Sequence, residues 1–139
     1  MAVIVVIDGM GGGIGAQLVA RLRKELGPTA EIFALATNAV AVQHMVDAGA
    51  TRGASGENSF RVMLQCADFI LGPLGVALPD SMMGELTPAM AEAVLCSRAK
   101  KILLPLSQQH LSLVGLAQKN LAELIDEAAA ALKAELRPL

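Results

Sequence analysis

Ile7-Asp8-Gly9-Met10-Gly11-Gly12-Gly13-Ile14-Gly15-Ala16 is the stretch whose reading decides the fold of this chain. Ahead of it, Val3 to Ile7 is a continuous β-branched run, the pattern of a parallel strand covered on both faces. Behind it, Ile14, Leu18, Leu22 and Leu26 recur on one helical face, with Arg21, Lys24 and Glu25 elsewhere, until Gly27-Pro28 ends the helix. The stretch contains Gly-x-Gly-x-x-Ala from Gly11 to Ala16 and Gly-x-x-x-Gly-x-Gly from Gly9 to Gly15. Glycines permit a tight turn and a close approach of backbone, while a helix N-terminus aims N–H groups and a positive dipole end at an anion. The position between a strand and a helix points to phosphate or nucleotide binding. The competing reading is a turn whose glycines only let the helix pack tightly on the sheet.

Working outward, strand-like and helix-like segments alternate along the chain, the signature of an α/β sheet. Glu31 to Ala36 reads as a second strand, and Asn38 caps a helix to about Ala48, closed by Gly49. A short strand is expected near 50–54, with Gly56, Glu57 and Asn58 at the carboxyl edge of the sheet. Phe60, Met63, Leu64 and Ala67 mark the next helix, and Asp68 to Gly72 the next strand. Pro73 to Leu86 reads as a long loop. Thr87-Pro88 then opens a helix, apolar nearly all round and expected to be buried, to about Ser97. Ile102 to Leu106 and Leu111 to Leu116 read as further strands, before a closing amphipathic helix at Leu121, Leu124, Ile125, Ala128 and Leu132. The expected fold is a three-layer, Rossmann-like α/β domain over residues 1–139, with a mostly parallel sheet of five to six strands and helices on both faces.

Composition narrows the classes of function. The 139 residues are 54% hydrophobic and 17% charged, with a net charge of −2 and a mean hydropathy of +0.54, which suits a compact fold rather than a disordered one. Scattered basic residues and the absence of Trp and Tyr argue against nucleic-acid binding. Ala2 to Ile7 is too short for a signal peptide or a membrane span, so a cytoplasmic protein without a membrane partner is expected. Cys66 and Cys96 are thirty residues apart with no nearby His, a spacing unlike a zinc ribbon or a thioredoxin motif, so they read as reduced thiols and no metal site is expected. The high hydropathy predicts a homo-oligomer, with contacts from Val76 to Met83 and from Met90 to Leu95.

Ligands in open α/β sheets sit at the carboxyl ends of the strands. The expected cofactor-binding residues there are Asp8, Gly9, Gly11, Gly12, Gly13, Ile14, Gly15, Thr37, Asn38, Gly72 and Pro73. Arg52, Ser55, Glu57, Asn58 and Ser81 are candidate substrate-binding residues, Arg52 as a phosphate clamp, the alternative being a surface ion-pair partner. Asp80 and Glu85 are candidate catalytic carboxylates or Mg²⁺ ligands, the alternative being that they are helix-capping and loop charges, and His110 is a candidate general base. Asp8 is expected to be partly buried and either to orient the glycine turn through backbone N–H groups, the favoured role, or to receive a substrate hydroxyl. His44, within a helix, reads as structural, and the methionines as core filler or interface.

Several versions of the site are excluded or weakened. No Lys precedes Lys24, so a Walker loop is absent. The Gly-x-x-x-Gly-Ile-Gly arrangement is similar to that of short-chain dehydrogenases, yet the chain lacks the Tyr their chemistry uses. A nucleotide or NAD(P) fits the turn, but a dinucleotide site usually puts Asp or Glu at the end of the second strand, where this chain has Thr37 and Asn38.

In combination, the glycine turn, Thr37-Asn38-Ala39, the segment from Ala48 to Asn58, Gly72-Pro73-Leu74-Gly75 and Asp80 to Pro88 resemble an uncharacterised bacterial family known only as a domain of unknown function. That resemblance covers most of the chain, and it implies a Rossmann-like domain without an activity. More locally, Asp68 to Leu104 is similar to a segment of the sugar-phosphate isomerases related to translation initiation factor subunits, without their acidic and Asn pattern. The leading reading is a small protein that binds a nucleotide or phosphometabolite. The alternatives are an isomerase or oxidoreductase acting on a small phosphorylated substrate, and a non-catalytic oligomeric interaction subunit.

Overall fold

The computed structural model describes residues 1–106 and 110–136. Its backbone follows the alternation read from the sequence: β1 (Ile4–Asp8), α1 (Gly13–Leu26), β2 (Ile32–Ala36), α2 (Ala39–Asp47), β3 (Arg52–Ser55), α3 (Glu57–Met63), β4 (Phe69–Pro73), a short 3₁₀ turn (Leu74–Ala77), α4 (Pro88–Cys96), β5 (Lys100–Leu104) and α5 (Leu121–Glu135). The five strands form one parallel sheet in the order β3-β2-β1-β4-β5, which makes the fold Rossmann-like.

The two faces of the sheet are covered by different helices, as alternate side chains of β1 show. Ile4 and Val6 pack with Leu18, Val19 and Leu22 of α1, Met45 of α2 and Ile125 and Leu132 of α5. Val5 and Ile7 point the other way, against Phe60 of α3, Val76, and Met90 and Val94 of α4. All five residues of β1 are buried, which explains the unbroken apolar run of a central parallel strand. Sharp ends fix the helices: Asn38 accepts from the Ala41 N–H at 2.8 Å, and Thr87 from the Met90 N–H at 3.1 Å.

Strand order reverses between β1 and β4, since the chain leaves β1 toward β2 on one side and leaves β4 toward β5 on the other. Val6 pairs with Leu71, so Asp8 and Pro73 end their strands at the same level. Asp8 pairs in turn with Ala36 of β2, which brings Thr37 and Asn38 to that edge.

Three expectations about the fold are corrected. Leu111 to Leu116 is not a strand, because Gly115 turns the chain at φ 90° and Leu113, Val114 and Leu116 are exposed rather than covered. Helix α4 is buried on one side only: Met90, Ala91 and Val94 face the core, while Leu95 is 57% exposed. Arg52, expected with the site residues, begins β3 opposite Phe33, so its backbone lies about 10 Å, three strand residues, short of the carboxyl edge marked by Ser55. In the segment expected to make an oligomer contact, Val76 and Ala77 belong to the core, whereas Met83 is exposed. Among the described residues, no helix is long and apolar enough to cross a membrane.

Candidate functional site

The glycine turn joins β1 to α1 at the point where strand order reverses, and its glycines divide into two kinds. A Cβ on Gly9 would lie 2.6 Å from the Met82 sulfur and from Thr37 Oγ1, and one on Gly15 would lie 2.7 Å from Asp8 Cβ. Gly12 has φ 74° and packs on the Ala41 backbone, where a Cβ would sit 2.8 Å from Cα. Packing accounts for all three. Gly11 and Gly13 are different: neither has a positive φ, and among the described residues a Cβ on either would meet nothing within 4 Å.

Asp8 ends β1 almost fully buried, at 5% exposure, and its Oδ2 accepts the Gly15 N–H at 2.6 Å. It serves as a remote cap for α1, whose N-terminal Gly12 has no side chain to do so. Burial raises the pKa of this carboxyl. The backbone N–H groups of Gly15, Gly9 and Ile14 oppose that rise, and the charge of Glu85 adds to it. Asp8 thus holds the turn onto the helix, as expected from its place after an apolar strand.

Glu85 approaches the same turn from the loop that follows the 3₁₀ segment. Its Oε1 accepts from Thr37 Oγ1 at 2.6 Å, the Met10 N–H at 2.9 Å and Asn38 Nδ2 at 2.9 Å. These donors, led by the Thr37 hydroxyl, hold the Glu85 carboxyl below the usual carboxylate range. Asn38 Nδ2 also donates to the Met10 carbonyl at 2.8 Å, and His44 Nδ1 donates to the Gly11 carbonyl at 2.6 Å. Three side chains, Glu85 from its loop and Asn38 and His44 from α2 and its cap, therefore hydrogen-bond the turn from outside.

The loop carrying Glu85 closes on itself through Asp80 N–H to Leu86 O at 2.8 Å and Leu86 N–H to Ser81 O at 3.2 Å. Within it Asp80, Met82, Met83 and Gly84 have φ of 64°, 58°, 57° and 87°. Three consecutive left-handed residues, two of them not glycine, cost on the order of 1–2 kcal/mol for each non-glycine and persist only where the surroundings hold them. Here the holding contacts are Glu85 on the turn, Met82 over Gly9, and Ser81 Oγ to the Gly75 carbonyl at 2.5 Å.

A cavity of about 350 Å³ opens between the two loops, lined by the backbone of residues 9–14 together with Asp8, Pro73, Gly75, Ser81, Met82 and Leu106. Gly11 and Gly13 present their N–H groups without an acceptor among the described residues. Among the described residues no Lys, Arg or His side chain lines this cavity, so an anion placed there meets backbone donors and the N-terminal dipole of α1 rather than one of their cations. A larger cleft of about 630 Å³ lies elsewhere, between α3 and α4. Its walls are side chains of the two helices, from exposed Glu57 and Arg61 to buried Leu64, and it does not include the glycine turn, whose acceptor-free N–H groups make the smaller cavity the better candidate.

Asp8, Gly9, Gly11, Gly12, Gly13, Ile14, Pro73 and Ser81 meet at this cavity, with Gly15 behind it and Thr37, Asn38 and Glu85 on its β2 side. Gly72 does not line it: a Cβ there would sit 2.4 Å from the Ile7 carbonyl, so its role is close packing of β4 on β1. Asp80 is exposed and its carboxylate makes no hydrogen bond among the described residues. Glu57 and Asn58 line the α3–α4 cleft, where Glu57 accepts from Thr87 Oγ1 at 2.7 Å and Asn58 from Arg61 at 2.9 Å. Ser55 is exposed at the end of β3. His110 is also exposed, and residues 107–109 of the expected Pro105 to His110 edge lie outside the described residues. Among the described residues, no three His, Cys, Asp or Glu side chains gather as metal ligands do.

Two contributors escaped the sequence reading. His44 reads as structural by its place within a helix, yet α2 starts at the carboxyl edge and its second turn remains within reach of the glycine turn. Met82 reads as core filler but forms a wall of the cavity, and no local pattern marks that role. No curated protein matches the chain, and no solved structure does. The family described as Domain of unknown function (DUF3842) matches residues 3–137, and the chain belongs to it.

Proposed function

We propose that the protein binds a phosphorylated small molecule, a nucleotide or a phosphometabolite, in the cavity between the glycine turn and the Glu85 loop. The observation that carries this reading is the pair Gly11 and Gly13. Packing accounts for Gly9, Gly12 and Gly15, but among the described residues neither backbone angle nor any neighbour requires glycine at the other two positions. A ligand that approaches the backbone closely does require it. The acceptor-free N–H groups of the same two residues, at the N-terminus of a 14-residue helix, supply the donors that a phosphate oxygen needs.

Gly13 is the first residue of α1, so Gly13→Ala tests this reading through two effects of opposite sign. Without a ligand the substitution stabilises the helix by about 0.5–1 kcal/mol, since the methyl enters open space and the unfolded chain loses freedom. Affinity for the phosphorylated ligand falls, and Gly13→Val lowers it further. Calorimetric titration against ATP, NAD, their fragments and inorganic phosphate checks both effects beside thermal unfolding. A wild type that binds none of these, or a valine variant that binds as tightly as wild type, overturns the proposal.

A further inference from the structure

The end of β2 carries Thr37 and Asn38 where an acidic residue would usually hold a ribose, and the fold brings an acid to that place from elsewhere. Glu85, forty-seven residues beyond Asn38 in the chain, seats its carboxylate on both residues and on the Met10 N–H. All three donors fall on Oε1. Oε2 accepts nothing among the described residues and remains available on a half-buried, ionised group.

In a parallel sheet whose first turn holds a phosphate, an acid at the end of the second strand stands about one sugar away and receives the ribose hydroxyls. The strained left-handed turn of Met82, Met83 and Gly84 delivers the carboxylate to that position, and strain of this kind is retained where the delivered group is needed. We infer that Glu85 is the specificity-determining residue of the site, its Oε2 receiving a ribose hydroxyl of a 5′-phosphorylated ribonucleoside. This rests on the phosphate reading of the glycine turn. The fixed negative charge also rejects a phosphate on the 2′ oxygen, because two anions at hydrogen-bond distance repel.

Calorimetric titration of the full chain with AMP, 2′-deoxy-AMP, 3′-deoxy-AMP, adenosine 2′,5′-bisphosphate, ribose 5-phosphate and inorganic phosphate separates the possibilities. The expected result is that at least one deoxy compound and the bisphosphate each bind about tenfold or more weaker than AMP, the scale of a lost hydrogen bond to a charged acceptor. In Glu85→Gln those differences shrink, because the amide nitrogen cannot accept a hydroxyl. The wild-type comparison stands without the variant if the variant fails to fold. Both deoxy compounds binding within about fivefold of AMP, or phosphate binding without any nucleotide binding, overturns the ribose assignment and leaves the phosphate site standing. Failure of every compound, phosphate included, overturns both.

Discussion

Two loops meet at the carboxyl edge of the sheet, and they solve the same geometric problem in opposite ways. The turn after β1 reverses direction with glycine where space or angle demands it, so only Met10, at φ 52°, is an L-residue in the left-handed region. The loop before α4 places Asp80, Met82 and Met83 there without glycine's freedom. It is kept in that shape by Glu85, whose partner Met10 lies 75 residues earlier in the chain. A turn built from local residue choice is visible in sequence spacing. A loop shaped by a distant contact is not.

The largest expected effect breaks the first half of that contrast. Gly12→Ala puts a methyl 2.8 Å from the Ala41 backbone at φ 74°, combining left-handed strain with overpacking against atoms that cannot swing away. A loss of about 3 kcal/mol is expected, read as a lower midpoint in urea unfolding. A variant that is as stable as wild type would mean that the turn is not held as described, and the distinction between packing glycines and open glycines would fail.

The contrast between Asp8 and Glu85 can be sharpened with pH. Glu85 is bound by three donors and its folded pKa lies below 4.5, so its ionised form stabilises the fold. That contribution is complete above the ordinary value and disappears as pH falls through the lowered one. Asp8 is raised above 3.8 by burial, so its ionisation opposes folding. This opposition is fully present above the raised pKa and is relieved as pH falls from there toward 3.8. Unfolding measured across the acidic range should therefore show Glu85→Gln removing a loss of stability on acidification, and Asp8→Asn removing a gain. At neutral pH, Glu85→Gln should cost about 1 kcal/mol, kept small because the group is partly open to solvent. Matching pH profiles for the two variants would show that the carboxylates share one environment.

How much of this was legible beforehand follows from the range of each interaction. The order of elements, the parallel sheet and the glycine turn come from periodicity and spacing within a few residues, and Asn38 and Thr87 cap the helices at the positions their types suggest. Asp8 reads correctly because a carboxylate that ends a buried strand has few partners other than the turn beside it. Arg52 reads two ways, as a clamp or as a surface ion-pair partner, because a short strand's register, and hence which of its residues reaches the edge, depends on its pairing with β2 rather than on its own composition. By position alone Asp80, farther from the start of α4, reads as the better ligand-binding candidate than Glu85 five residues on. Only the left-handed turn between them aims Glu85 at the glycine loop and leaves Asp80 in solvent.

The smallest expected effect concerns Met83, which is 91% exposed yet holds φ 57°. Its side chain buries nothing of consequence, and unlike Asp or Asn it has no short polar group to hydrogen-bond locally and ease the left-handed conformation. Replacing it by glycine removes that strain, against which stands the greater freedom glycine gives the unfolded chain. The balance favours Met83→Gly by up to about 1 kcal/mol, visible as a small rise in the thermal midpoint with Glu85 still seated. If the loop were instead relaxed in solution and Glu85 only loosely placed, there would be no strain to release. Glycine would then cost stability rather than add it, so the sign of this one change reports whether the distant contact shapes the loop.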